Sequence, residues 1–245
     1  MKTFKLFLVT FFALTVANGY SQQSNVNNVS GGTNSKGWSR ISVSYIPSTL
    51  NVDGGDDLKF QGFNLGWTKG FNIANNVPLF IEAGAGIQFR RYSDSESESF
   101  NESGVSGKIK VTEKLNVLSL NIPVNLVYKF NATPDFSIEP FVGIDFRFNL
   151  MGKLKSEANY SGDYEDEVNE AIKDYLPDSD INIFDEDDMN DLGVDPAKRF
   201  QAGWHIGTNF TYKKVSLGIS YGQDFNEIVE DCKLSTTTVT LGFNF

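Results

Sequence analysis

The sequence predicts an all-β fold, namely an eight-stranded antiparallel up-and-down transmembrane β-barrel with short periplasmic turns and long extracellular loops. Two observations support this prediction. Apolar and polar residues alternate with period two along eight segments, and the connections between the segments alternate between short and long. Period-two alternation places successive side chains on opposite faces of a strand. The predicted strands are residues 38–46, 58–71, 78–92, 115–130, 136–150, 200–212, 215–225 and 235–245.

Each predicted strand has one apolar face and one small or polar face. In chain order, the apolar faces include Ile41 and Val43, Phe63 and Leu65, Ile81 and Ile87, Leu120 and Ile122, Ile144 and Phe146, Ile206 and Phe210, Leu217 and Ile219, and Val239 and Leu241. The opposite faces include Ser42, Asn64, Glu82, Asn121, Asp145, His205, Ser216 and Thr240 in the same order. All eight segments therefore qualify as strands with two unlike surfaces.

The connections place every short turn at one end of the predicted sheet and every long loop at the other. The short turns are residues 72–77, 131–135 and 213–214, and the long polar loops are residues 47–57, 93–114, 152–199 and 226–234. An even strand count with this asymmetry is typical of outer-membrane barrels.

Period two alone fits both a membrane barrel and a soluble barrel, so the direction of the apolar face decides between them. The polar face carries charges that could pair across the narrow interior of an eight-stranded barrel. Aromatic residues at both strand ends would form the two interfacial girdles of a membrane barrel. They are Phe71, Phe130, Phe136, Tyr212 and Phe245 near the short turns, and Tyr45, Phe89, Phe148 and Tyr221 near the long loops. A soluble eight-stranded ligand-binding barrel is the alternative.

Alternation also assigns side chains to the predicted lumen and to the C-terminal strand. The strand that ends the chain, with Phe243 and Phe245 on its apolar face, resembles the signal by which the barrel-assembly machinery recognises outer-membrane barrels. The predicted lumenal polar network consists of Arg40, Glu82, Arg90, Glu139, Asp145, Arg147 and His205.

The N-terminus predicts export. Residues 1–21 have the order of a secretory signal peptide, with lysines before an apolar run, residues 6–16, and small residues after it. Residues 22–36 are rich in Gln, Asn, Ser and Gly, which predicts a flexible leader before a barrel domain at residues 37–245.

One segment carries the whole net charge of −10. Residues 153–197 contain 15 Asp or Glu and 3 Lys or Arg, a net −12, and the remaining 16 acidic and 18 basic residues give +2. We predict a long acidic extracellular loop there. The acidic balance argues against a nucleic-acid partner, because no basic stripe is present to neutralise phosphates. The single Cys excludes a disulfide scaffold.

Three features of the long loops carry narrower predictions. Apolar residues at helical spacing within residues 163–176 predict a short amphipathic helix that caps the barrel mouth. Residues 93–106 are predicted to form an exposed mobile loop. Cys232, in the last long loop, is predicted to be an incidental thiol.

The acidic loop also contains weak candidates for Ca²⁺ ligands, since carboxylate oxygens suit that ion. Their spacing does not match an EF-hand, so a solvated loop is the preferred interpretation and no cofactor is expected. The candidate ligands are Asp185, Asp187, Asp188 and Asp191.

A family resemblance follows from three strand motifs. Residues 118–130, LSLNIPVNLVYKF, are similar to the pattern L-x-I-P-x-x-x-x-Y-x-F, and residues 82–86, EAGAG, and 140–144, PFVGI, fit the strands around it. Together they resemble the PorT-like outer-membrane β-barrel family of the Bacteroidetes, a small OmpA/OmpX-like barrel. The resemblance implies the fold, the outer membrane and a role in supporting secretion or envelope assembly. It implies no catalytic residues.

The sequence therefore predicts a non-enzymatic outer-membrane protein with a surface or envelope role carried by its long loops. Expected partners are outer-membrane lipid, the barrel-assembly machinery and an unidentified envelope or extracellular protein. The alternative from another class is a small enzyme acting on lipid, for which His205, the only histidine, would have to pair with a serine.

Overall fold

The computed structural model describes residues 37–74, 77–102, 105–175 and 181–245. The predicted signal peptide and leader lie outside the described residues. The strands are β1 Trp38–Tyr45, β2 Ser48–Val52, β3 Leu58–Asn72, β4 Leu79–Glu102, β5 Val105–Tyr128, β6 Phe130–Asn131, β7 Phe136–Gly162, β8 Ile181–Asn182, β9 Phe200–Tyr212, β10 Val215–Asp224 and β11 Cys232–Asn244, and the helices are α1 Glu165–Tyr175 and α2 Glu186–Asp191.

Antiparallel pairing closes the sheet into a ring of eight strands. The ring runs through β1, β3, β4, β5, β7, β9, β10 and β11 and returns to β1. At the closure, Trp38 of β1 pairs with Gly70 of β3 and Arg40 pairs with Asn244 of β11. β2 extends β1 beyond Pro47, which has no N–H for the ladder, and pairs with the same two neighbours. The predicted eight-stranded antiparallel barrel is therefore confirmed.

The two faces of the ring reverse the burial seen in soluble proteins. Leu65 and Leu241 on the outer face are each 60% exposed, whereas Glu139 and Gln201 on the inner face are 0% exposed. Soluble proteins bury apolar residues and expose charged ones. The apolar belt must therefore face lipid, which rules out the soluble alternative.

Three strands are longer than predicted and project together beyond the ring. The pairing of β3 with β4 ends at Gln61 and Arg91, yet β4 and β5 remain paired to Glu102 and Val105 at the hairpin tip. β5 and β7 remain paired as far as Gly162. We call residues 92–102, 105–115 and 152–162 the ribbon.

The ribbon corrects two predictions. The predicted mobile loop at residues 93–106 and most of the predicted loop at residues 93–114 are strand, and the acidic loop predicted from Lys153 begins only after Gly162. Pairing between neighbouring strands stabilises these segments. Ser95 of β4 and Thr112 of β5, for example, share a hydrogen bond with Oγ and Oγ1 3.0 Å apart. Polar composition alone had suggested solvated loops.

A β-bulge marks the base of the ribbon on β7. Ser119 pairs with Asn149 while Leu118 pairs with Met151, which leaves Leu150 as the extra residue. One extra residue reverses which side chains face inward. Below the bulge Asn149 is buried, and above it the buried residue is Gly152.

α1 confirms the predicted helix but does not cap the barrel mouth. It packs against β7 of the ribbon, where Asn169 Nδ2 donates to the Tyr160 carbonyl and Asn169 Oδ1 accepts from the Tyr160 N–H, both at 2.8 Å. No helix among the described residues combines the length and hydrophobicity needed to cross a membrane.

Apolar side chains close the lumen at both ends. At the short-turn end, Trp38, Phe80 and Val127 form one buried cluster. At the long-loop end, two clusters form the plug that we call the outer plug. Their buried members are Leu50, Phe60 and Leu234 in one, and Val117, Phe184 and Ala197 in the other. The segment before α2, through Phe184, therefore supplies the cap predicted for α1.

Candidate functional site

The lumen between the plugs contains two groups of paired charges. The first lies near the short turns and is built on β1, β4 and β7, whose inward positions carry Arg40, Glu82 and Glu139. Arg40 Nη2 donates to Glu139 Oε2 at 2.6 Å, and Arg40 Nη1 lies 3.4 Å from Glu82 Oε2. Trp38 Nε1 donates to the same Glu82 oxygen at 2.6 Å. Lys129 Nζ lies 3.5 Å from Glu139 Oε1, so two cations and two anions neutralise each other.

The second group lies nearer the long loops. Arg147 Nη2 donates to Asp224 Oδ2 at 2.5 Å, with both side chains nearly fully buried. Arg90 Nε donates to Ser48 Oγ at 3.2 Å. Asp145 accepts a hydrogen bond from Asn121 Nδ2. Charges in this group are therefore paired or hydrogen-bonded, as burial requires.

His205 lies on the lumenal side of β9, between the two groups. Its Nε2 lies 2.5 Å from Asn125 Oδ1, and its ring meets the edge of the Phe141 ring at a centroid distance of 5.8 Å. Asn125 Nδ2 in turn donates to Glu82 at 3.2 Å. This geometry connects the histidine to the polar network through an amide rather than to a nucleophile.

The structure places all seven predicted lumenal residues inside the ring; six of them belong to the two charge groups, and His205 lies between the groups. The predicted set did not include six further side chains that contact these residues, namely Trp38, Ser48, Asn121, Asn125, Lys129 and Asp224. Asp224 continues the inward parity of Ser220 and Gly222 on β10, so the alternation itself could have identified it. The pairing of Arg147 with Asp224, 77 positions apart, could not be read from the pattern.

Polar side chains line a cavity of about 160 Å³ within the lumen, and Arg40, Gln88, Asp145 and His205 are among them. Pockets for drug-sized ligands are typically larger, at about 300–1,000 Å³. An eight-stranded barrel has room for little more than its own side chains. The lumen therefore fits a packed polar core.

The four candidate Ca²⁺ ligands do not converge on one point. Asp185 is the N-cap of α2, where its Oδ1 accepts from the N–H groups of Asp187 and Asp188 at 3.1 and 3.4 Å. Asp188 Oδ2 accepts from the Asn182 N–H at 2.8 Å. In the part of the chain that the structure describes, no group of three or more His, Cys, Asp or Glu is arranged to hold a metal ion. Two of the carboxylates instead stabilise the local fold.

The C-terminal residues lie on the lipid-facing side of the closure between β1 and β11. Phe243 and Phe245 are 50% and 62% exposed. The Phe245 N–H donates to the Ser39 carbonyl at 2.9 Å. Their role as an insertion signal stays a prediction.

The family comparison identifies the kind of barrel. The sequence model of the outer membrane protein beta-barrel domain matches residues 20–229. The chain belongs to this family. This outer-membrane barrel therefore spans the outer membrane, with its short turns in the periplasm and its ribbon outside the cell.

Several solved outer-membrane structures are similar to this barrel. They include Ail, the attachment invasion locus protein of Yersinia pestis, in complex with the heparin analogue sucrose octasulfate, at 16% identity over 86% of this chain and 99% of Ail, with a TM-score of 0.38. Neisserial surface protein A is 13% identical over 84% of this chain and 97% of its own, with a TM-score of 0.41. LpxR from Salmonella typhimurium is 10% identical over 85% of this chain and 100% of its own, with a TM-score of 0.30. No curated protein matches the chain.

Proposed function

We propose that this outer-membrane barrel is a non-catalytic surface protein that acts through its ribbon and the acidic segment that follows. The length of three strands carries the proposal. β4, β5 and β7 run to Glu102, Val105 and Gly162 at the tip of the ribbon, well past the neighbouring strands. A paired sheet held outside the membrane by a closed barrel is a rigid platform for recognition.

The lumenal residues support a structural role for the interior. Arg40 and Arg147 bind carboxylates directly, and His205 contacts Asn125. A serine hydrolase would need a serine within hydrogen-bonding reach of the histidine, and the partner of His205 is an amide. The geometry thus favours the surface role over the lipid-acting enzyme.

The PorT-like resemblance extends the proposal to a role in supporting secretion or envelope assembly. In this role the ribbon contacts an envelope or extracellular protein, and the barrel-assembly machinery inserts the chain. The lipid of the outer membrane contacts the apolar belt.

Complementation of a strain that lacks this protein tests the proposal. In a shortened variant, residues 95–112 are replaced by Asn-Gly, a turn that joins the paired residues Asp94 and Glu113. Proteins secreted to the medium and displayed at the surface are measured for each strain, and the matched control is His205→Ala. We expect intact protein and the His205 variant to restore the missing proteins and the shortened variant to fail.

The opposite result would support the enzyme alternative. If His205→Ala inserted normally but did not complement, while the shortened variant did, the ribbon would be dispensable and the histidine essential. Heat-modifiable gel mobility shows that each variant is folded in the membrane.

A further inference from the structure

The outward face of the ribbon is strongly basic, so the expectation from the sequence that no basic stripe is present was wrong. Directly paired residues of an antiparallel sheet project on the same side. Ser93 of β4 pairs with Lys114 of β5, which pairs with Lys155 of β7, so these side chains share one face. The other rows on this face, together with Arg91 in the row at the base of the ribbon, bring the total to six basic residues and one acidic residue, Glu157, hence +6 and −1. The six, which we call the basic face, are Arg91, Lys108, Lys110, Lys114, Lys153 and Lys155.

The opposite face of the ribbon has the opposite charge. It carries Asp94, Glu96, Glu98 and Glu113, and none of the Lys or Arg residues of the ribbon project from it. A sheet that only needed solubility would mix both signs on each face. Apart from Glu157, the two signs are segregated, which indicates that the two faces meet different surroundings.

The bulge at Leu150 brings the lysines of β7 onto the basic face. Without the extra residue, the parity that buries Arg147 and Asn149 would also turn Lys153 and Lys155 inward. The bulge instead places these lysines beside Lys114. The sheet therefore contains a specific irregularity whose effect is to concentrate positive charge on this side.

The basic face continues the lipid-facing surface of the barrel. Phe89, Leu118 and Met151 form the last apolar row on this side, and the next row outward is Arg91, Asn116 and Lys153. Successive rows are two residues apart, or about 7 Å along the strands.

With a strand tilt of about 35–45°, the first two basic rows lie roughly 5 and 10 Å above the apolar edge. The headgroup layer of a bilayer begins at that edge and is about 5–8 Å thick. Arg91 and Lys153 therefore lie at headgroup height. Lys114 and Lys155 lie just above it, where a long lysine side chain can extend down to the headgroups, and Lys108 and Lys110 lie farther out.

An ion-pair arrangement holds part of the basic face in place. Glu157 lies 2.8 Å from Lys114 Nζ and 3.8 Å from Lys155 Nζ, so one carboxylate orders two ammonium groups. The side chains of these lysines are only 27% and 34% exposed. Since one carboxylate carries one negative charge, the two lysines and Glu157 together keep a net charge of +1.

We propose that the four residues of the basic face nearest the membrane, Arg91, Lys114, Lys153 and Lys155, bind the phosphate groups of the outer-leaflet lipids that surround the barrel. The basic face is complementary in charge to phosphate, and it continues the lipid-facing belt of the barrel. Both observations favour lipid phosphate as the ligand. Lys and Arg bind phosphate oxygens through charge-assisted hydrogen bonds, and each cation near an anionic surface strengthens binding about fivefold. Bound headgroups would hold the ribbon upright on one side of the barrel.

Native mass spectrometry of the full barrel in neutral detergent tests this proposal. The barrel is titrated with bisphosphorylated lipid A and with its dephosphorylated form, and bound lipid is counted. A variant with Arg91, Lys114, Lys153 and Lys155 all changed to Gln removes the cations that can reach the headgroups. We expect it to bind bisphosphorylated lipid A roughly a hundredfold or more weakly.

Two matched variants test whether a loss of lipid binding results from the charge and position of the removed residues or from misfolding. Lys114→Arg with Lys153→Arg and Lys155→Arg keeps the charge and should bind as the wild type does. Lys108→Gln with Lys110→Gln removes charge above the headgroups and should change binding less than fivefold. Heat-modifiable mobility verifies that each barrel is folded.

Three results would overturn the proposal. The first is equal binding of the two lipids by the wild type. The second is unchanged binding by the folded four-residue Gln variant. The third is soluble inositol hexakisphosphate binding as tightly as lipid A, which would point to a free polyanion rather than a membrane lipid.

Discussion

Glu139 is the residue on which the inner charge group depends. Its side chain has no solvent exposure, and its oxygens contact Arg40 at 2.6 Å, Lys129 at 3.5 Å and the Ser137 hydroxyl at 3.0 Å. A buried carboxylate between two cations neutralises charges that would otherwise be costly in a narrow lumen.

We predict that Glu139→Gln lowers the free energy of unfolding by about 3–5 kcal/mol, because it leaves the buried Arg40 and the partly buried Lys129 with Glu82 as the remaining anion of the group. Urea unfolding in detergent micelles, followed by tryptophan fluorescence, measures the change. Glu98→Gln is the matched control, since Glu98 is exposed on the ribbon, and it should change stability by less than about 0.5 kcal/mol. Equal effects of the two substitutions would refute the role given to Glu139.

Cys232 illustrates how burial and local charge together suppress a reactive side chain. It lies at the start of β11, outside the membrane, where burial and then the charges of Asp231 and Glu227 raise the pKa of its thiol. A raised pKa leaves less thiolate at neutral pH, and the thiolate is the nucleophile.

We therefore predict slow alkylation of Cys232 by iodoacetamide at pH 7 and a rate that keeps rising above pH 9. Asp231→Asn should accelerate the reaction at pH 7 by removing one nearby negative charge, and urea-unfolded protein should react faster still. Rates that reach a plateau near pH 8 in the folded protein would contradict the raised pKa.

At the scale of elements, the sequence predicted the membrane-spanning strands well and the extracellular ones poorly. Within the membrane the apolar face must be continuous, so residues such as Leu118 and Leu120 alternate cleanly. In the ribbon, residues 93–99 read Ser-Asp-Ser-Glu-Ser-Glu-Ser, and these residue types have low β-propensity. Pairing with β5 and β7 overrides that propensity, and the charges of Asp94, Glu96 and Glu98 discourage other chains from pairing with the open edge.

The sequence pattern predicts many of the residues that line the lumen, but it does not predict which of them contact each other. Parity assigns Arg40, Glu82 and Arg147 to the lumen because period two fixes the face of each residue. It does not say which residues across the barrel meet, since that depends on strand stagger. Nor does it reveal the bulge at Leu150, because one extra residue leaves no signature in composition.

Phe184 offers an element-scale test of the outer plug. Its side chain is 4% exposed and packs with Val117 and Ala197. We predict that Phe184→Ala lowers the free energy of unfolding by about 3 kcal/mol, since it removes a buried ring and leaves a cavity. Urea unfolding in micelles measures this change. Leu192→Ala, at a site 52% exposed, is the control and should have little effect.

Deletion of α1 provides the complementary result. α1 contacts the ribbon through Asn169 and Tyr160, so removal of residues 165–175 should leave the ring intact and heat-modifiable. Failure of that variant to fold, with Phe184→Ala unaffected, would assign the capping role to α1 after all.

At the scale of the whole molecule, β11 closes the ring and also carries the two phenylalanines that we predict to be the insertion signal. Backbone pairing of β11 with β1 and β10 closes the barrel and removes all open edges within the membrane. The rings of Phe243 and Phe245 contribute nothing to those hydrogen bonds, because they project outward. Substituting the two rings alone therefore separates closure of the barrel from the predicted recognition by the barrel-assembly machinery.

We predict that Phe243→Ala with Phe245→Ala leaves refolding into detergent micelles nearly unchanged but lowers insertion in cells several-fold. The first result follows because the backbone pairs remain, and the second because the barrel-assembly machinery would lose its signal. Phe210→Ala with Tyr212→Ala is the matched control, since these rings are also lipid-facing, at 40% and 57% exposure, near the periplasmic end. Heat-modifiable mobility measures refolding, and the amount of folded barrel in outer-membrane fractions measures insertion. If both double variants lowered insertion equally, the loss would reflect missing lipid contacts, and the C-terminal phenylalanines would have no special role.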